Sequence, residues 1–174
     1  MGNMKKILSA LTMRNDNPQV LNEAYSSFYK AFERFNRVAW GGTLPRCVIR
    51  FYRGRGGRRV AYAQNSSPPE IAFNLSRCLY FPEEYLHGVL AHEMTHIRQF
   101  SLNKNGGHGS DFYKEMSRIG IDEKRGCVLR GSAVDYIFSL NEMYPVSLLN
   151  ALRIISARST FLSQEFVEQF FINS

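Results

Sequence analysis

The sequence predicts an α+β domain in which a small, mainly antiparallel sheet packs on a central helix. Apolar residues recur at helical spacing between residues 82 and 102. Short strand-like runs precede this segment at residues 47–52, 59–64 and 71–75. A second helical pattern follows Ser110. The 174 residues, 44% of them apolar, are enough to bury one sizeable core.

The first predicted helix begins at Pro18 and has one apolar face. The residues at helical spacing on that face are Val20, Leu21, Ala24, Tyr25, Phe28, Phe32 and Phe35. Such a stripe indicates core packing, and we assign it no other role. Glycine and proline in residues 41–45 then interrupt the chain. Residues 54–57, with the sequence GRGG, predict a hairpin that joins strand 47–52 to strand 59–64.

The central helix is predicted from Pro82 to about Leu102. Proline suits a first helical turn, because its missing N–H would have no partner there. Glu83 and Glu84 add negative charge near the positive end of the helix dipole. A polar, glycine-rich turn at residues 103–107 follows the helix, so the next helix can return toward it.

Within the central helix, residues 92–96 read HEMTH. Side chains four residues apart lie one turn apart on the same helix face. His92 and His96 can therefore bind one metal ion, and Glu93 can reach a water at that metal. This spacing is typical of a zinc protease site. Two ordinary histidines and a solvated glutamate are the alternative interpretation of so short a motif.

A catalytic zinc site needs a third protein ligand, and His108 is the natural candidate. It follows the glycine-rich turn and lies at the mouth of the next helix. Asp111 and Glu115 compete for the role, and Asp111 is an alternative orienting partner for a ligating imidazole. His87 lies five residues before His92 and points elsewhere, so we interpret it as structural or exposed.

The chain resembles the SprT-like zinc metalloproteases, the SprT/Spartan type, over residues 18 to about 120. The residues that carry the resemblance are Phe35-Asn36, the GGTLP run at 41–45, the strand ending at Asn74, HEMTH, and His108-Gly109-x-x-Phe112. The resemblance implies a zincin-like fold and cleavage of proteins, including proteins crosslinked to DNA. It also implies that His92, His96 and His108 bind zinc and that Glu93 is the catalytic acid/base.

Two comparisons of pattern limit this resemblance. Many SprT-like proteins carry a four-cysteine zinc ribbon after the protease domain, and here Cys127 is the only cysteine after the metal unit. The metzincin pattern needs glycine and histidine where this chain has Gln99 and Leu102. The expected site is therefore a single zinc centre of the shorter HExxH type.

The ligand set implies a mechanism for peptide hydrolysis. Zinc lowers the pKa of its water toward about 7, and Glu93 takes the proton as that water attacks a peptide carbonyl. Glu93 then passes the proton to the leaving amine. Tyr113 or a residue of the arginine-rich loop is a candidate for stabilising the oxyanion, and no spacing rule selects between them.

The net charge of +7 is concentrated around the predicted hairpin. The arginines in this ten-residue stretch are Arg50, Arg53, Arg55, Arg58 and Arg59. Tyr52 lies among them and Tyr62 follows, so guanidinium groups could contact phosphates while rings stack on unpaired bases. These residues are a candidate DNA site, especially for single strands. A solvated hairpin tip or a patch for acidic protein substrates is the alternative.

The chain divides into three predicted parts: an N-terminal arm or short helix at 1–17, the protease domain at 18–125 and a helical extension at 126–174. The apolar run in the arm is too short to span a membrane and lacks a cleavage signal. The three scattered cysteines (Cys47, Cys78 and Cys127) form neither a disulfide framework nor a CxxC site. We therefore expect an intracellular protein, cytoplasmic or nucleoid-associated, that is not secreted.

The extension is predicted to hold three helices, at residues 133–143, 145–157 and 163–172. Apolar helix stripes are usually buried, so we expect it to pack on the protease domain. A partner-binding face made by Phe161, Phe166, Phe170 and Phe171 is the alternative.

The sequence thus predicts a zinc-dependent endopeptidase acting on protein substrates that are associated with or crosslinked to DNA. A non-catalytic module, stabilised by zinc and binding nucleic acid or protein, is the alternative. The intact Glu93 favours the enzyme, because a purely structural site does not need a glutamate there.

Overall fold

A computed structural model describes residues 18–54, 59–122, 128–129 and 146–158 of the chain. The helices are α1 (Pro18–Trp40), α2 (Leu75–Cys78), α3 (Glu83–Ser101), α4 (Ser110–Arg118) and α5 (Leu148–Arg158). The strands are β1 (Val48–Tyr52), β2 (Ala61–Gln64), β3 (Glu70–Asn74), β4 (Ile121–Asp122) and β5 (Val128–Leu129). The fold is α+β, as the sequence predicts.

The main sheet has three strands in the order β1-β3-β2. Strand β1 runs parallel to β3, and β2 runs antiparallel to β3. The sheet is therefore mixed, with one parallel and one antiparallel pair, and the expectation of a mainly antiparallel sheet is only half met. A separate pair of two-residue strands, β4 and β5, is antiparallel.

The predicted hairpin between the first two strands is wrong. Strands β1 and β2 do run in opposite directions, but β3 lies between them. The most apolar strand takes the central place, since Ile71, Ala72 and Phe73 are all fully buried there. Glycines between two alternating segments predict that the chain reverses direction there. They do not predict whether the two strands pair with each other or with a third strand between them.

Helix α1 covers one face of the sheet, as its apolar stripe predicts. Phe28 packs edge-on against Phe51 of β1, with ring centroids 4.9 Å apart, and contacts Phe73 of β3 at 5.2 Å. The end of α1 is held by Asn36, whose amide accepts from the Leu44 N–H and donates to the Leu44 carbonyl. The GGTLP run is therefore fastened to the helix that precedes it.

Helix α3 begins after Pro82, which occupies the N-cap position, and two acidic residues fill its first turn. It packs on α1, α4 and β2, so it runs through the middle of the domain. Leu86, Leu90, Met94 and Ile97 are fully buried along it. The helix that carries the HEMTH motif is thus the central element, as predicted.

Helix α5 packs on α1 and α3 and belongs to the same core. Leu148, Ala151, Leu152 and Ile155 are fully buried. The second predicted C-terminal helix therefore exists and is packed, although it begins at Leu148 and not at residue 145. The predicted helices at 133–143 and 163–172, with the four phenylalanines from residue 161 onward, lie outside the described residues.

Both ends of α5 are attached to the rest of the domain by side chains. The Glu83 carboxylate accepts from the N–H groups of Leu148, at 2.6 Å, and Leu149, at 2.9 Å. At the other end, Arg53 donates to the carbonyl of Ser156 and, at 3.0 Å, to its hydroxyl. Within the parts of the chain that the structure describes, none of the helices has the length and apolar character needed to cross a membrane.

Candidate metal centre

Two of the three predicted ligands are presented by α3. His92 and His96 lie one turn apart, with ring centroids 5.0 Å apart and planes at 73°. His96 is buried and His92 is half-buried. The i, i+4 spacing therefore places both imidazoles on one face of this helix, as the sequence predicts.

The third histidine is returned to the helix by its C-terminal turn. Asn103 has a φ of 57°, and its N–H donates to the carbonyl of Phe100 while Lys104 N–H donates to that of Gln99. These two bonds form a Schellman motif, which ends the helix and reverses the chain. Gly106 has a φ of 65°, and a Cβ there would lie 2.3 Å from the ring of Phe100. The loop therefore needs glycine at this position.

The loop brings His108 to the pair on α3. Its ring centroid lies 5.1 Å from that of His92 and 4.8 Å from that of His96. One ligand nitrogen from each of the three histidines lies within 4.8 Å of the others. The structure therefore assembles the three side chains that the sequence proposes, although they belong to a helix and a separate loop.

The donor set fits a zinc ion. The Nε2 atoms of His96 and His108 are 2.9 Å apart. Zinc–nitrogen distances of about 2.0–2.1 Å in a tetrahedral site require a separation of about 3.3 Å, so a small movement of the exposed His108 is sufficient. Three histidine nitrogens are a typical set of protein ligands for zinc.

Burial keeps the two helical imidazoles in the form that binds metal. Burial, together with the neighbouring His96 and His108, lowers the pKa of His92 to about 3. Burial also lowers the pKa of His96. Both rings are therefore neutral near pH 7, and a neutral ring offers a nitrogen lone pair.

Phe112 forms the floor of the cluster. Its ring lies 4.9 Å from His92, 4.6 Å from His96 and 4.6 Å from His108, measured between centroids. It is 1% exposed and stacks on His96 with an interplanar angle of 22°. Phe112 lies in the first turn of α4, four residues after His108. This spacing places its ring in contact with all three imidazoles.

Neither carboxylate that competed with His108 reaches the cluster. Asp111 is largely exposed and pairs with Lys104 at 2.6 Å. Glu115 accepts from the Trp40 indole at 2.7 Å and pairs with Arg118. The alternative of Asp111 as the orienting partner of a ligand is therefore wrong, since its own partner lies on the loop and faces solvent.

Gln99 occupies the orienting position instead. Its side-chain oxygen lies 3.1 Å from His96 Nδ1, and its amide nitrogen donates to the Gly107 carbonyl at 3.0 Å. Sequence reasoning missed this residue. The available signal was its spacing, because a residue three positions after His96 lies on the same side of the helix.

Glu93 lies beside the cluster and is 5% exposed. Burial raises the pKa of its carboxyl to about 8, although a hydrogen bond from the backbone of Ala63 and the charge of Arg59 oppose the increase. In an antiparallel pair, every second residue bonds to the partner strand and the residues between point their N–H and C=O groups away from it. Val60 accepts from the N–H of Asn74 in β3, so Ala61 and Ala63 are residues of the second kind and the N–H of Ala63 points away from β3. Strand β2 is therefore an edge strand that meets α3 at Glu93.

The predicted arginine site is divided by the structure. Arg50 forms an ion pair with Glu70 at 2.9 Å, and Arg53 is bonded to Ser156 of α5. Arg59 lies 5.9 Å from the centre of the Tyr62 ring, and Tyr52 lies 5.8 Å from Tyr62 between centroids. Arg55 and Arg58 lie outside the described residues.

Two further residues of interest have clear positions. His87 is fully buried, 3.3 Å from Glu83 and close to Phe35, so it is structural. Tyr113, a candidate for the oxyanion partner, is half exposed and packs edge-on against Phe112. Its ring is therefore on the surface next to the cluster.

The SprT-like family model matches residues 28–129 of the chain. This range contains α1 from its middle onward, the main sheet, HEMTH and the His108 loop. The searches of curated proteins and of solved structures found no match. Because the matched range is more than half of the chain and includes every residue of the cluster, the chain belongs to the SprT-like family.

Proposed function

We propose that this protein is a zinc-dependent endopeptidase that hydrolyses peptide bonds in DNA-associated or DNA-crosslinked proteins. One observation carries the proposal: the three imidazoles converge, and the buried Glu93 follows the first of them on the same helix. A purely structural zinc site is usually closed by four protein ligands. This cluster offers three histidines and a carboxylate of unusual pKa.

His92, His96 and His108 hold the zinc ion in this proposal. When bound, zinc polarises the peptide carbonyl and makes a water acidic enough to react near neutral pH. Glu93 accepts the proton of the attacking water and then donates it to the leaving amine nitrogen. A group with this double task works best with a pKa near the working pH, and burial moves the pKa of Glu93 in that direction.

Strand β2 is suited to hold the substrate. Its outward groups, the N–H and C=O of Ala61 and the C=O of Ala63, face the free edge, where an extended peptide can pair. Because the Ala63 N–H faces Glu93, a peptide paired along this edge passes beside the proposed base. Main-chain pairing with this edge would orient a substrate peptide whatever its side chains are. A protease that acts on many different proteins requires this property.

The link to DNA rests on the outer face of the sheet. Tyr52, Tyr62 and Arg59 lie together there, and stacking with cation–π contact is the typical way to hold unpaired bases. Strand β2 of this sheet packs on the helix that carries HEMTH, so DNA held here would bring an attached protein near the site.

The buried thiols suit a reducing compartment. Cys47 and Cys78 are free, and neither is exposed. An intracellular setting is therefore part of the proposal.

The test combines metal analysis with proteolysis. We expect about one zinc per chain, and cleavage of DNA-bound proteins that is stimulated by single-stranded or duplex DNA. Glu93→Gln keeps the side-chain volume and should keep the zinc, but it should lower turnover by at least about 10²-fold. Glu84→Gln, one charge removed from the same helix, is the control and keeps full activity.

The alternative of a non-catalytic zinc module predicts a different result. In that case removal of zinc destabilises the protein, whereas no protein substrate is cleaved with or without DNA. Turnover by Glu93→Gln equal to that of the parent would contradict the assigned role of Glu93. Absence of bound zinc would contradict both functions.

A further inference from the structure

We infer that Gln99 is a positioning residue that fixes the metal-binding form of His96 and holds the loop carrying His108. The inference rests on the proposed metal site and goes beyond it, because it assigns a role outside the three ligands and Glu93. One amide side chain bridges the two parts of the chain that supply the ligands.

The orientation of the amide follows from its partner on the loop. The Gly107 carbonyl can only accept a hydrogen bond, and it lies 3.0 Å from the Gln99 side-chain nitrogen. The amide oxygen must therefore face His96 Nδ1, which lies 3.1 Å from it. An amide oxygen can only accept, so Nδ1 of His96 must carry the proton.

This proton determines which nitrogen of His96 is available. In a neutral imidazole one nitrogen carries hydrogen and the other has a free lone pair. With Nδ1 protonated, the lone pair of His96 is on Nε2, and Nε2 is the atom that faces His108 at 2.9 Å. Gln99 thus selects the tautomer that the metal needs before any metal binds.

The second role of Gln99 concerns the loop. Gly107 immediately precedes His108, and Lys104 N–H donates to the backbone carbonyl of the same Gln99. Side chain and backbone of one residue therefore hold the loop at two points. His108 is exposed, so its own packing restrains it less than the burial of His96 does.

The position of Gln99 also restricts the movement of its side chain. It is 9% exposed and lies one helical turn from His96, so its amide is packed and has few alternative rotamers. Partners of this kind typically change metal affinity 10- to 100-fold when they are removed. A residue that contacted only one ligand could not couple the helix to the loop.

The experiment compares Gln99→Met, which removes both hydrogen bonds at similar volume, with Gln99→Glu, which can accept from His96 but cannot donate to Gly107. Arg98→Met is the matched control, since Arg98 is the neighbour of Gln99 on α3 and takes part in neither of the two hydrogen bonds. For each full-length protein, zinc affinity is measured by chelator competition. The imidazole ¹⁵N shifts of His96 report its tautomer, and ¹⁵N relaxation reports the mobility of residues 104–108.

We expect Gln99→Met to bind zinc about 10- to 100-fold more weakly and to lose the exclusive Nδ1–H form of His96. Gln99→Glu should retain that form while residues 104–108 become more mobile. Arg98→Met should match the parent in all three measurements. Thermal unfolding of the metal-free proteins shows that any loss of affinity is not a loss of fold.

The inference is overturned if Gln99→Met binds zinc within twofold of the parent and His96 keeps its proton on Nδ1. If Gln99→Met does not fold, Gln99→Glu decides: unchanged loop mobility or a changed tautomer overturns the role. A parent protein that binds no zinc would refute the proposed function, whereas the His96 tautomer would still test Gln99.

Discussion

The backbone N–H of Ala63 faces the carboxylate of Glu93 and acts to lower the pKa of that carboxyl. This contact attaches the edge strand β2 to the residue proposed as the base, at the place where substrate would pair. The strand and the helix that meet there are separated by β3 and α2 in the chain. The position of Glu93 thus depends on the sheet as well as on its own helix.

Replacing Ala63 with proline tests this contact. The N–H of Ala63 faces the free edge, so proline removes its interaction with Glu93 without removing a bond of the ladder. We expect turnover to fall about tenfold or more while zinc content is unchanged. Ala61→Pro removes another outward N–H that lacks the contact with Glu93, and it should keep more activity. Equal losses in the two variants would show that the interaction of Ala63 with Glu93 has no role.

Phe112→Leu tests the aromatic floor of the cluster. Leucine keeps an apolar side chain but loses three ring contacts with the histidines, and aromatic pairs contribute about 0.5–1.5 kcal/mol each beyond area burial. We expect zinc affinity to fall about tenfold. Met116→Leu, one turn later on the same helix and equally buried, is the control and should bind zinc as the parent does. Chelator competition measures the zinc affinity of both variants. An unchanged affinity in Phe112→Leu would show that the Phe112 ring only packs in the core.

Glu83 makes stability depend on pH through its attachment to α5. Burial alone would raise its pKa, but hydrogen bonds from His87 and from the N–H groups of Leu149 and Leu148 outweigh burial and hold the pKa below the ordinary 4.5. Because the folded pKa is lower than the unfolded one, this stabilisation is present above about pH 4.5 and is lost as the pH falls through the folded pKa.

Glu83→Gln should therefore lower the free energy of unfolding by about 1–3 kcal/mol at pH 7, because one charged acceptor of two N–H groups is removed. The difference from the parent should shrink as the pH falls below about 4.5. Denaturant titrations at several pH values measure it, with Glu84→Gln as the matched control. A difference that is constant over this pH range would exclude the ionised carboxylate as its source.

The arginines should separate into structural and DNA-binding groups. Arg53→Ala breaks the bonds to Ser156, so we expect it to destabilise the protein. Arg59→Ala leaves those bonds intact and should weaken binding of single-stranded DNA. The slope of log affinity against log salt should also decrease by about 0.7 for one phosphate contact.

Tyr62→Leu is the companion variant for DNA binding, since it removes the stacking ring but no charge. It should weaken binding without changing the salt dependence. Fluorescence anisotropy at several salt concentrations measures both effects. If neither Arg59→Ala nor Tyr62→Leu changes affinity, the outer face of the sheet does not bind DNA.

The sequence by itself determined the central helix and the identity of the three histidines. Helical spacing is local, so His92 and His96 share a face wherever the helix is placed. The turn residues 103–107 and the start of α4 are also local signals, and they limit how far His108 can lie from the helix. These features need only neighbours along the chain.

Tertiary structure decided which strand lies at the edge, which arginines are engaged and which residue orients His96. The insertion of β3 between β1 and β2, the approach of Ala63 to Glu93 and the attachment of Arg53 to α5 all join segments distant in sequence. Such pairings depend on which strands and helices pack together in the core. Local spacing of residues along the chain does not predict that arrangement. Gln99 shows the same limit, because its amide gains a role only when the loop has returned to meet it.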